Sequence, residues 1–420
     1  MADNESWDWE PGEKTVPVGE WSEQFRWVEE FSVSPDGENI AAIVNIDEGE
    51  FSVCVNGEAW ETTFDKLWYL RFSPDGRLTA LASEMGEWTV AVDGTAWENR
   101  FGYVWHTQFS TDGSHICVAF QQDMKYGMAV DDVPWENTYS NMTCPRLSPD
   151  GTGTAAVVQT VDFGSADIHT FQKGAYSAAR NGEAWDRNFV NVWDPAFDEN
   201  GRRVAAEVRI SLYDYTIAVD GTPWPKTFGG IWPPIFHPQS GAVIAPARSD
   251  GKWKLMQDGN PLWERPFAQL WQQAVGPDQK TIAAVVAPEF GKWTVAVDGT
   301  PWQATFPDLV TDLRFSPDGR RVGAVTKSGQ KWGIVVDGSA WRNTFEMAWA
   351  PVFSPDGRVT AAKVEKKGRY TIAVNDRLWP RECEVLWPPV FSQDGSRMLI
   401  RSVENGRYHR RVLPVTELTE

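Results

Sequence analysis

Residues that build metal and cofactor sites are scarce in this sequence. Its 420 residues include only four cysteines and five histidines, scattered without a Cys-x-x-Cys or a His-Glu-x-x-His motif. Their spacing argues against the common zinc, iron–sulfur and haem sites and gives no sign of a disulfide framework, although two or three histidines could still converge as ligands on the central tunnel. A P-loop, a Rossmann glycine pattern and a Gly-x-Ser-x-Gly motif are also missing. We therefore expect no cofactor, no metal and no catalytic site.

The sequence also lacks a membrane-spanning segment and a secretion signal. No apolar run approaches the roughly 20 residues that cross a bilayer. The first ten residues are acidic and have neither the basic nor the apolar region of a signal peptide. A formal net charge of −19 opposes binding to nucleic acid or to an anionic membrane. We expect a cytoplasmic protein whose partners are proteins with basic patches.

Tryptophan, in contrast, is abundant. Of the 24 tryptophans, 22 recur in one pattern with a period of about 39 residues. In each of ten units a tryptophan closes the phrase Asp-Gly-x-x-Trp or a variant of it, and an aromatic residue follows four positions later, except where Cys383 stands. Eight units carry a second tryptophan shortly afterwards, and a Phe-Ser-Pro-Asp-Gly type of phrase comes next. A fixed period of this length is typical of a repeat architecture.

Each unit predicts four short antiparallel strands, here called a to d. Strand a ends in Phe-Ser, strand b is a small-apolar run, strand c reads aromatic-x-Val-Ala-Val, and strand d is Trp-x-x-x-Phe. The Pro-Asp-Gly and Val-Asp-Gly phrases between them favour tight turns. Four strands per repeat indicate one blade of a β-propeller. The sequence therefore predicts an all-β protein with about ten four-stranded blades.

The two ends of the chain predict how the ring closes. The last unit supplies strands a to c, from Val390 to Leu413, whereas an unpaired strand d lies at Trp21–Phe25. If that strand completes the last blade, one ring is closed and no sheet edge stays open. Residues 18–415 would then form the propeller, 1–17 an acidic arm and 416–420 a tail. Two smaller rings are the alternative, because propellers more often have four to eight blades.

Departures from the repeat suggest a partner-binding surface. Between Trp135 and Trp185 lie extra residues that fall between strands b and c. In a blade the b–c loops and the d–a crossovers share one face, so this insertion would lie beside the second tryptophans, which could form an aromatic collar. A surface insertion without function and simple packing of the tryptophans between blades are the alternatives. The candidate partner contacts are Trp7, Trp9, Phe163, Phe171, Trp193, Trp232 and Trp387.

The repeat phrase resembles the WD-repeat-like units of TolB-type β-propellers over nearly the whole chain. Tryptophan content, length and repeat also resemble the tryptophan-rich D subunit of the Tmc transmembrane redox complex of sulfate-reducing bacteria. In that family the subunit accompanies a multihaem cytochrome c, a membrane cytochrome b and a cytoplasmic iron–sulfur protein. The resemblance implies a non-redox accessory subunit on the cytoplasmic side, with the iron–sulfur and cytochrome b subunits as partners.

Two functions follow from the sequence and remain open at this point. The first is a non-catalytic protein-interaction scaffold, an accessory subunit of a membrane-associated electron-transfer complex. The alternative is a propeller that binds a small ligand or a sugar in its central tunnel, with or without catalysis. Fold alone does not separate them, because unrelated functions share the propeller.

Overall fold

A computed structural model describes residues 4–162 and 167–419. The described residues form ten antiparallel sheets with the strand order a-b-c-d, each in contact with the next around a ring. This confirms the predicted all-β propeller with ten four-stranded blades. Neighbouring a strands contact one another, as expected for the innermost strands of a ring.

Strands a and b build the inner half of each blade. In blades 6, 9 and 10 strand a is split into two short pieces around prolines. Strand a spans, from blade 1 to blade 10, Trp27–Val33, Lys66–Phe72, Tyr103–Phe109, Met142–Leu147, Asn191–Phe197, Gly230–Ile231 with Ile235–Phe236, Gln269–Val275, Leu309–Phe315, Met347–Ala348 with Val352–Phe353, and Val385–Leu386 with Val390–Phe391. Strand b spans Ile40–Asp47, Leu78–Glu84, Ile116–Gln122, Thr154–Gln159, Val204–Arg209, Val243–Ser249, Ile282–Ala287, Val322–Ser328, Thr360–Lys366 and Arg397–Glu404.

Strands c and d build the outer half, and strand d has only two residues in nine of the blades described. Strand c spans Glu50–Val55, Glu87–Val92, Lys125–Val130, Tyr176–Arg180, Tyr215–Val219, Lys252–Gln257, Thr294–Val297, Lys331–Val336, Arg369–Val374 and Arg407–Pro414. Strand d spans Glu58–Ala59, Thr95–Ala96, Val133–Pro134, Glu183–Ala184, Thr222–Pro223, Asn260–Pro261, Thr300–Pro301, Ser339–Ala340 and Arg377–Leu378, and in blade 10 Gly12–Val16.

Helical structure is confined to short segments. A 3-10 turn, Val18–Glu20, leads into α1 (Trp21–Gln24), α2 (Ile168–Lys173) lies in the b–c insertion of blade 4, and α3 (Val415–Thr419) follows the last strand. None of these helices, in the part of the chain described, is long and apolar enough to cross a membrane.

Aspartates hold the turns at one end of each sheet. In blade 2, Asp75 accepts a hydrogen bond from the Ser73 hydroxyl, and the Gly76 amide donates to the Ser73 carbonyl over 3.0 Å. Across the sheet, Asp93 accepts from the Leu78 amide over 2.8 Å. Gly76 has a φ of 91°, in a region that side chains rarely adopt. The repeated Asp-Gly phrases therefore serve as turns, as the sequence predicted.

The core consists of ten apolar clusters among the described residues, one between each pair of neighbouring blades. The first tryptophan of each unit contributes to this packing. Trp60 of blade 1, for example, lies against Gly94 in the c–d turn of blade 2, where an added Cβ would be 3.3 Å from the indole. Burial of large aromatic surfaces between sheets is what holds the blades together.

Ring closure occurs in blade 10, but through a different strand from the one predicted. Gly12–Val16 pairs antiparallel with Arg407–Pro414 over five residue pairs. Trp21–Gln24 is helical, so the prediction of Trp21–Phe25 as the closing strand was wrong. The closing strand instead lies inside the segment 1–17 that the sequence suggested was an arm.

The physical reason is visible in every other blade. The stretch Trp-x-x-x-Phe is never a continuous strand: strand d is a two-residue strand that ends before the tryptophan, and the phenylalanine position forms an isolated bridge. The four-residue spacing therefore reflects the packing of two aromatic side chains against the core. A single helical turn also places residues i and i+4 on one side, so it can provide the same packing. Trp21 and Phe25 are accordingly buried with Tyr408 in the cluster between blades 10 and 1.

Candidate protein-interaction face

The propeller has two faces that differ in their turns. On one face lie the b–c turns and the d–a crossovers, as shown by the Met85 amide, which donates to Asp65 of the preceding crossover over 2.7 Å. On the opposite face lie the a–b and c–d turns, which the Asp93 bond joins. We call them the b–c face and the a–b face.

Exposed apolar side chains are concentrated on the b–c face. Of the thirteen exposed large apolar residues in the described part of the chain, eleven lie there, in or next to b–c turns or in the first half of the strand a segment. Tyr69 lies further along strand a, and Val133 lies on the a–b face. The eleven residues are Trp27, Ile46, Trp68, Met85, Tyr103, Met124, Ile168, Leu212, Tyr213, Trp232 and Phe290. Apolar exposure biased to one face is typical of a binding surface.

The second tryptophan of each unit packs on the first aromatic of strand c in its own blade, with ring centroids 5.4 to 6.3 Å apart. Among the predicted contacts, Trp193 stacks on Tyr215 and is half-buried. Trp387 meets Tyr408 edge-on and packs against the cluster between blades 10 and 1. Trp232 is 42% exposed. The collar predicted from the sequence is thus accessible at some blades and packed at others.

Blades 2 and 3 carry the most continuous aromatic surface. Tyr103 lies 6.2 Å from Trp68, 5.5 Å from Trp88 and 6.0 Å from Trp105, between ring centroids. Met85 and Met124, 90% and 81% exposed, lie in the b–c turns of the same two blades. We define the 2–3 patch by Trp68, Trp88, Tyr103, Trp105, Met85 and Met124.

Carboxylates surround the 2–3 patch. They outnumber the basic residues of the b–c turns and crossovers of blades 1 to 3, and two of the bases, Arg26 and Arg100, form ion pairs with Asp47 and Glu84. The acidic residues are Asp47, Glu48, Glu50, Asp65, Glu84, Glu87 and Asp123, and the basic ones are Arg26, Lys66, Arg100 and Lys125. An apolar centre with an acidic rim suits a partner that has an apolar anchor and a basic rim.

The b–c insertion of blade 4 also lies on this face. Asp162 accepts a hydrogen bond from Ser140, and Thr160 donates to Asn188, both in neighbouring d–a crossovers. Phe171 is half-buried in α2, whereas Phe163 lies outside the described residues. The side chain of Ile168, at the start of α2, is 58% exposed.

Trp7 and Trp9 lie on the opposite side of the ring. Their rings are 6.1 Å apart and stacked. Arg397 donates to the Trp9 carbonyl over 3.1 Å, and Asn4 donates to the Phe391 carbonyl over 2.9 Å. The arm is therefore docked on the ring itself, on the a–b side of blade 10.

The inner strands of blades 2 to 5 bring charged groups together. Arg146 pairs with Asp194 of the next blade at 3.4 Å. Burial, together with Arg146 and Arg71, lowers the pKa of His106. Burial and the nearby Asp194 raise the pKa of Glu207 to about 8. Residues 4–162 and 167–419 contain no group of three or more His, Cys, Asp or Glu side chains placed to hold a metal ion.

Sequence reasoning missed Met85 and Met124. Both have positive φ, 51° and 59°, in two-residue b–c turns. Met85 takes the first turn position, where other blades have Asp250, Lys367 and Asn405, and Met124 takes the second, where the same blades have glycine. Such positions favour Asn, Asp and Gly. An apolar residue in a turn that elsewhere carries polar ones was therefore a usable signal.

Comparison with known proteins returns similarity of fold only. No family model and no curated protein matches the sequence. Among solved structures, a eukaryotic initiation factor is 13% identical (76% of this chain, 88% of that chain, TM-score 0.48). The Cps50 (Swd1) β-propeller domain of Myceliophteria thermophila is 12% identical (64% and 95%, TM-score 0.30), and the Dos1 propeller is 10% identical (90% and 90%, TM-score 0.34). These likenesses agree with a WD40-like β-propeller and carry no argument about activity.

Proposed function

We propose that the protein is a non-catalytic scaffold that binds a protein partner on its b–c face, with the 2–3 patch at the centre of the contact. The observation that carries the proposal is the concentration of exposed large apolar side chains on that face. Tryptophan and tyrosine side chains held rigidly by a sheet lose little conformational entropy on binding, and they dominate the energy of many interfaces.

The charge pattern supports a particular kind of partner. The acidic rim of the 2–3 patch would attract a lysine- and arginine-rich surface and would speed its association, while the aromatic centre would supply most of the affinity. The partner is therefore a protein with an apolar anchor flanked by basic residues. Its association rate is expected to fall as salt is raised, since exposed charges are screened.

The tryptophan-rich repeat supports an accessory, non-redox subunit of a membrane-associated electron-transfer complex, with an iron–sulfur subunit or a membrane cytochrome b subunit as partner. The protein would then lie in the cytoplasm and reach the membrane through that partner. We expect the isolated protein to be colourless; a stoichiometric haem or iron–sulfur absorption band in the pure protein would contradict this role.

Aspartate substitutions on the two faces test the docking surface. Met85→Asp with Met124→Asp adds two charges to the centre of the 2–3 patch, and Val133→Asp, at a 70% exposed residue of the a–b face, is the matched control. All three side chains are exposed, so thermal stability should stay within about 1 kcal/mol. Affinity isolation from native cells should recover the partner with wild type and with Val133→Asp. The double variant should lose it, by at least about tenfold.

A second arm removes residues 161–172 of the insertion. The other blades close without an insertion, so the fold should persist while recruitment weakens. If the double Met variant retains full recruitment, the 2–3 patch is not the contact. If the variant without residues 161–172 retains full recruitment while the double Met variant loses it, the insertion does not contribute to the contact.

A further inference from the structure

A cleft with three lysines lies between the outer strands of blade 6 and the Trp-x-x-x-Phe stretch of blade 5, which follows strand d of that blade. Its volume is about 410 Å³, within the range of small-molecule sites. The residues that matter here are Lys226, Phe228, Asp250, Lys252, Lys254 and Met256. None of them belongs to the 2–3 patch.

The cleft exists where blade 6 departs from the repeat. In six other blades the residue after the first aromatic of strand c is a serine or threonine. Its hydroxyl donates to a carbonyl of the Trp-x-x-x-Phe stretch that follows strand d, as Thr294 does to Ala304 over 2.7 Å. The six are Ser52, Thr89, Ser177, Thr216, Thr294 and Thr371. Blade 6 has Lys254 at this position. A lysine has no hydroxyl for that bond, and its long side chain lines the cleft instead.

The stretch of blade 6 that contains the c–d turn and strand d also differs from that of the other blades. From Asp258 to Trp263 it has one residue more than the phrase from Asp298 to Trp302 in blade 7. The extra residue is accommodated by a bulge in which the amides of Leu262 and Trp263 both donate to one carbonyl, that of Leu255. Two independent changes in a single blade thus replace a closed turn by an open, lysine-lined cleft.

The charge of the cleft runs against that of the protein. Three lysines and one carboxylate, Asp250, line it, whereas the whole chain has a net charge of −19. The Lys226 ammonium contacts the amide oxygen of Asn260 at 3.4 Å, and Lys254 reaches the highly exposed Glu264 at 3.8 Å. Among the described residues Lys252 forms no ion pair, but it is near enough to Glu289 to help lower the pKa of that carboxyl. Clustered ammonium groups repel each other, and a bound anion would relieve that repulsion.

The floor of the cleft is apolar. Phe228 and Met256 are 7% and 5% exposed, and Pro261 and Pro266 form part of the wall. A ligand that fits must therefore combine an anionic group with an apolar part. Because the lining carries two positive charges more than negative ones, a dianion neutralises it better than a carboxylate does, and lysine is a common phosphate binder.

We propose that the blade 6 cleft binds a phosphorylated small molecule, with its phosphate among Lys226, Lys252 and Lys254 and its apolar part against Phe228 and Met256. This site is independent of partner docking on the 2–3 patch. It would give the scaffold a ligand-binding function that the other blades, none of which has a lysine in place of Lys254, do not share.

Calorimetric titration of the full-length protein tests the site with three probes. Phenyl phosphate has both features, inorganic phosphate lacks the apolar part, and benzoate lacks the second charge. We expect phenyl phosphate to bind at one site, at least about tenfold more tightly than either of the others. Absence of binding at millimolar phenyl phosphate, or equal affinity for all three probes, would overturn the proposal.

Lys254→Thr restores the residue that the repeat uses, so this variant should fold at least as well as wild type. It should weaken phenyl phosphate binding by about tenfold or more. Lys366→Thr is the matched control, because Lys366 lines a second basic cleft of about 260 Å³ in blade 9. The control should bind like wild type. Loss of binding in both variants, or in neither, would show that the blade 6 lysines are not the site.

Discussion

Removal of residues 1–17 should open the ring, because it deletes the outer strand of blade 10. Gly12–Val16 pairs with the last strand over five residue pairs. The Glu13 carboxylate lies 2.9 Å from Arg411 of blade 10, and Lys14 lies 2.9 Å from Glu38 of blade 1. The strand therefore completes a sheet and also links two blades.

The size of the effect can be worked out from these contacts. A backbone hydrogen bond contributes about 1 kcal/mol net, so a ladder of this length contributes roughly 3–5 kcal/mol. Arg411, whose side chain is 3% exposed, would lose one of its carboxylate partners and keep Glu404, which adds on the order of 1 kcal/mol. A total near 5 kcal/mol corresponds to a fall of about 6 °C in Tm for a chain of this length.

Thermal unfolding of three chains provides the assay. A chain without residues 1–10 loses Trp7 and Trp9 but retains the closing strand, so its Tm should fall by only about 1–2 °C. The chain without residues 1–17 should fall by several degrees more. A synthetic peptide of residues 8–17 should bind to it and restore part of the loss by strand addition. Equal Tm values for the two shortened chains would refute the closing role of this strand.

Three further predictions concern single side chains. Trp224→Ala, at a 7% exposed interblade indole, should cost roughly 3–5 kcal/mol in urea unfolding, while Trp232→Ala, at a 42% exposed indole that stacks on Trp253, should cost only about 1–2 kcal/mol. Burial holds the pKa of Glu207 at about 8, above its unfolded value of 4.5, so the stability of the wild type falls as pH rises from 4.5 to 8. Glu207→Gln should therefore raise the free energy of unfolding, relative to wild type, more at pH 8 than at pH 5. An equal increase at both pH values would contradict this. Hydrogen bonds from two serines lower the pKa of Asp394 to about 2, so its contribution disappears as pH falls from 3.8 to 2, and Asp394→Asn should lose less stability than wild type over that window.

Blade number and the positions of strands a to c could be predicted from the sequence, because ten imperfect copies reinforce one pattern, whereas strand d lies just before the Trp-x-x-x-Phe stretch that was assigned to it. The Asp-Gly turns were identifiable for a local reason: glycine and aspartate satisfy positive φ and side-chain-to-backbone bonds within a few residues. Where the signal was non-local, prediction failed. Gly12–Val16 has no repeat signature of its own, and only its partner Arg407–Pro414 makes it a strand.

The candidate site was predicted in outline and not in detail. That the b–c turns and d–a crossovers share a face follows from antiparallel connectivity alone. Which tryptophans stay exposed there does not, because exposure depends on the neighbouring blade: Trp387 packs against the cluster between blades 10 and 1, while Trp232 remains open. For Trp7 and Trp9, the docking site depends on Arg397 of a blade nearly 390 residues away in sequence.

The position of the two chain termini within one blade explains how so large a ring stays closed. Both chain ends meet inside blade 10, between strand c, Arg407–Pro414, and strand d, Gly12–Val16. The d–a crossover from this strand d to Trp27 then links blade 10 to blade 1, as crossovers link all other neighbours. Every blade junction is therefore crossed by the chain itself.

Opening the ring consequently requires rupture of a β-ladder and not just separation of two packed faces. Side chains of blade 10 also bond across the packed junction with blade 1, to its a–b turn: Arg401 donates to the Ser34 carbonyl over 3.1 Å, and Tyr408 donates to the Gly37 carbonyl over 2.7 Å. Such bonds are directional and fix one register, whereas apolar packing alone would tolerate sliding. Because Arg401 and Tyr408 are buried, replacing either would leave turn carbonyls without partners at the packed junction between blades 10 and 1.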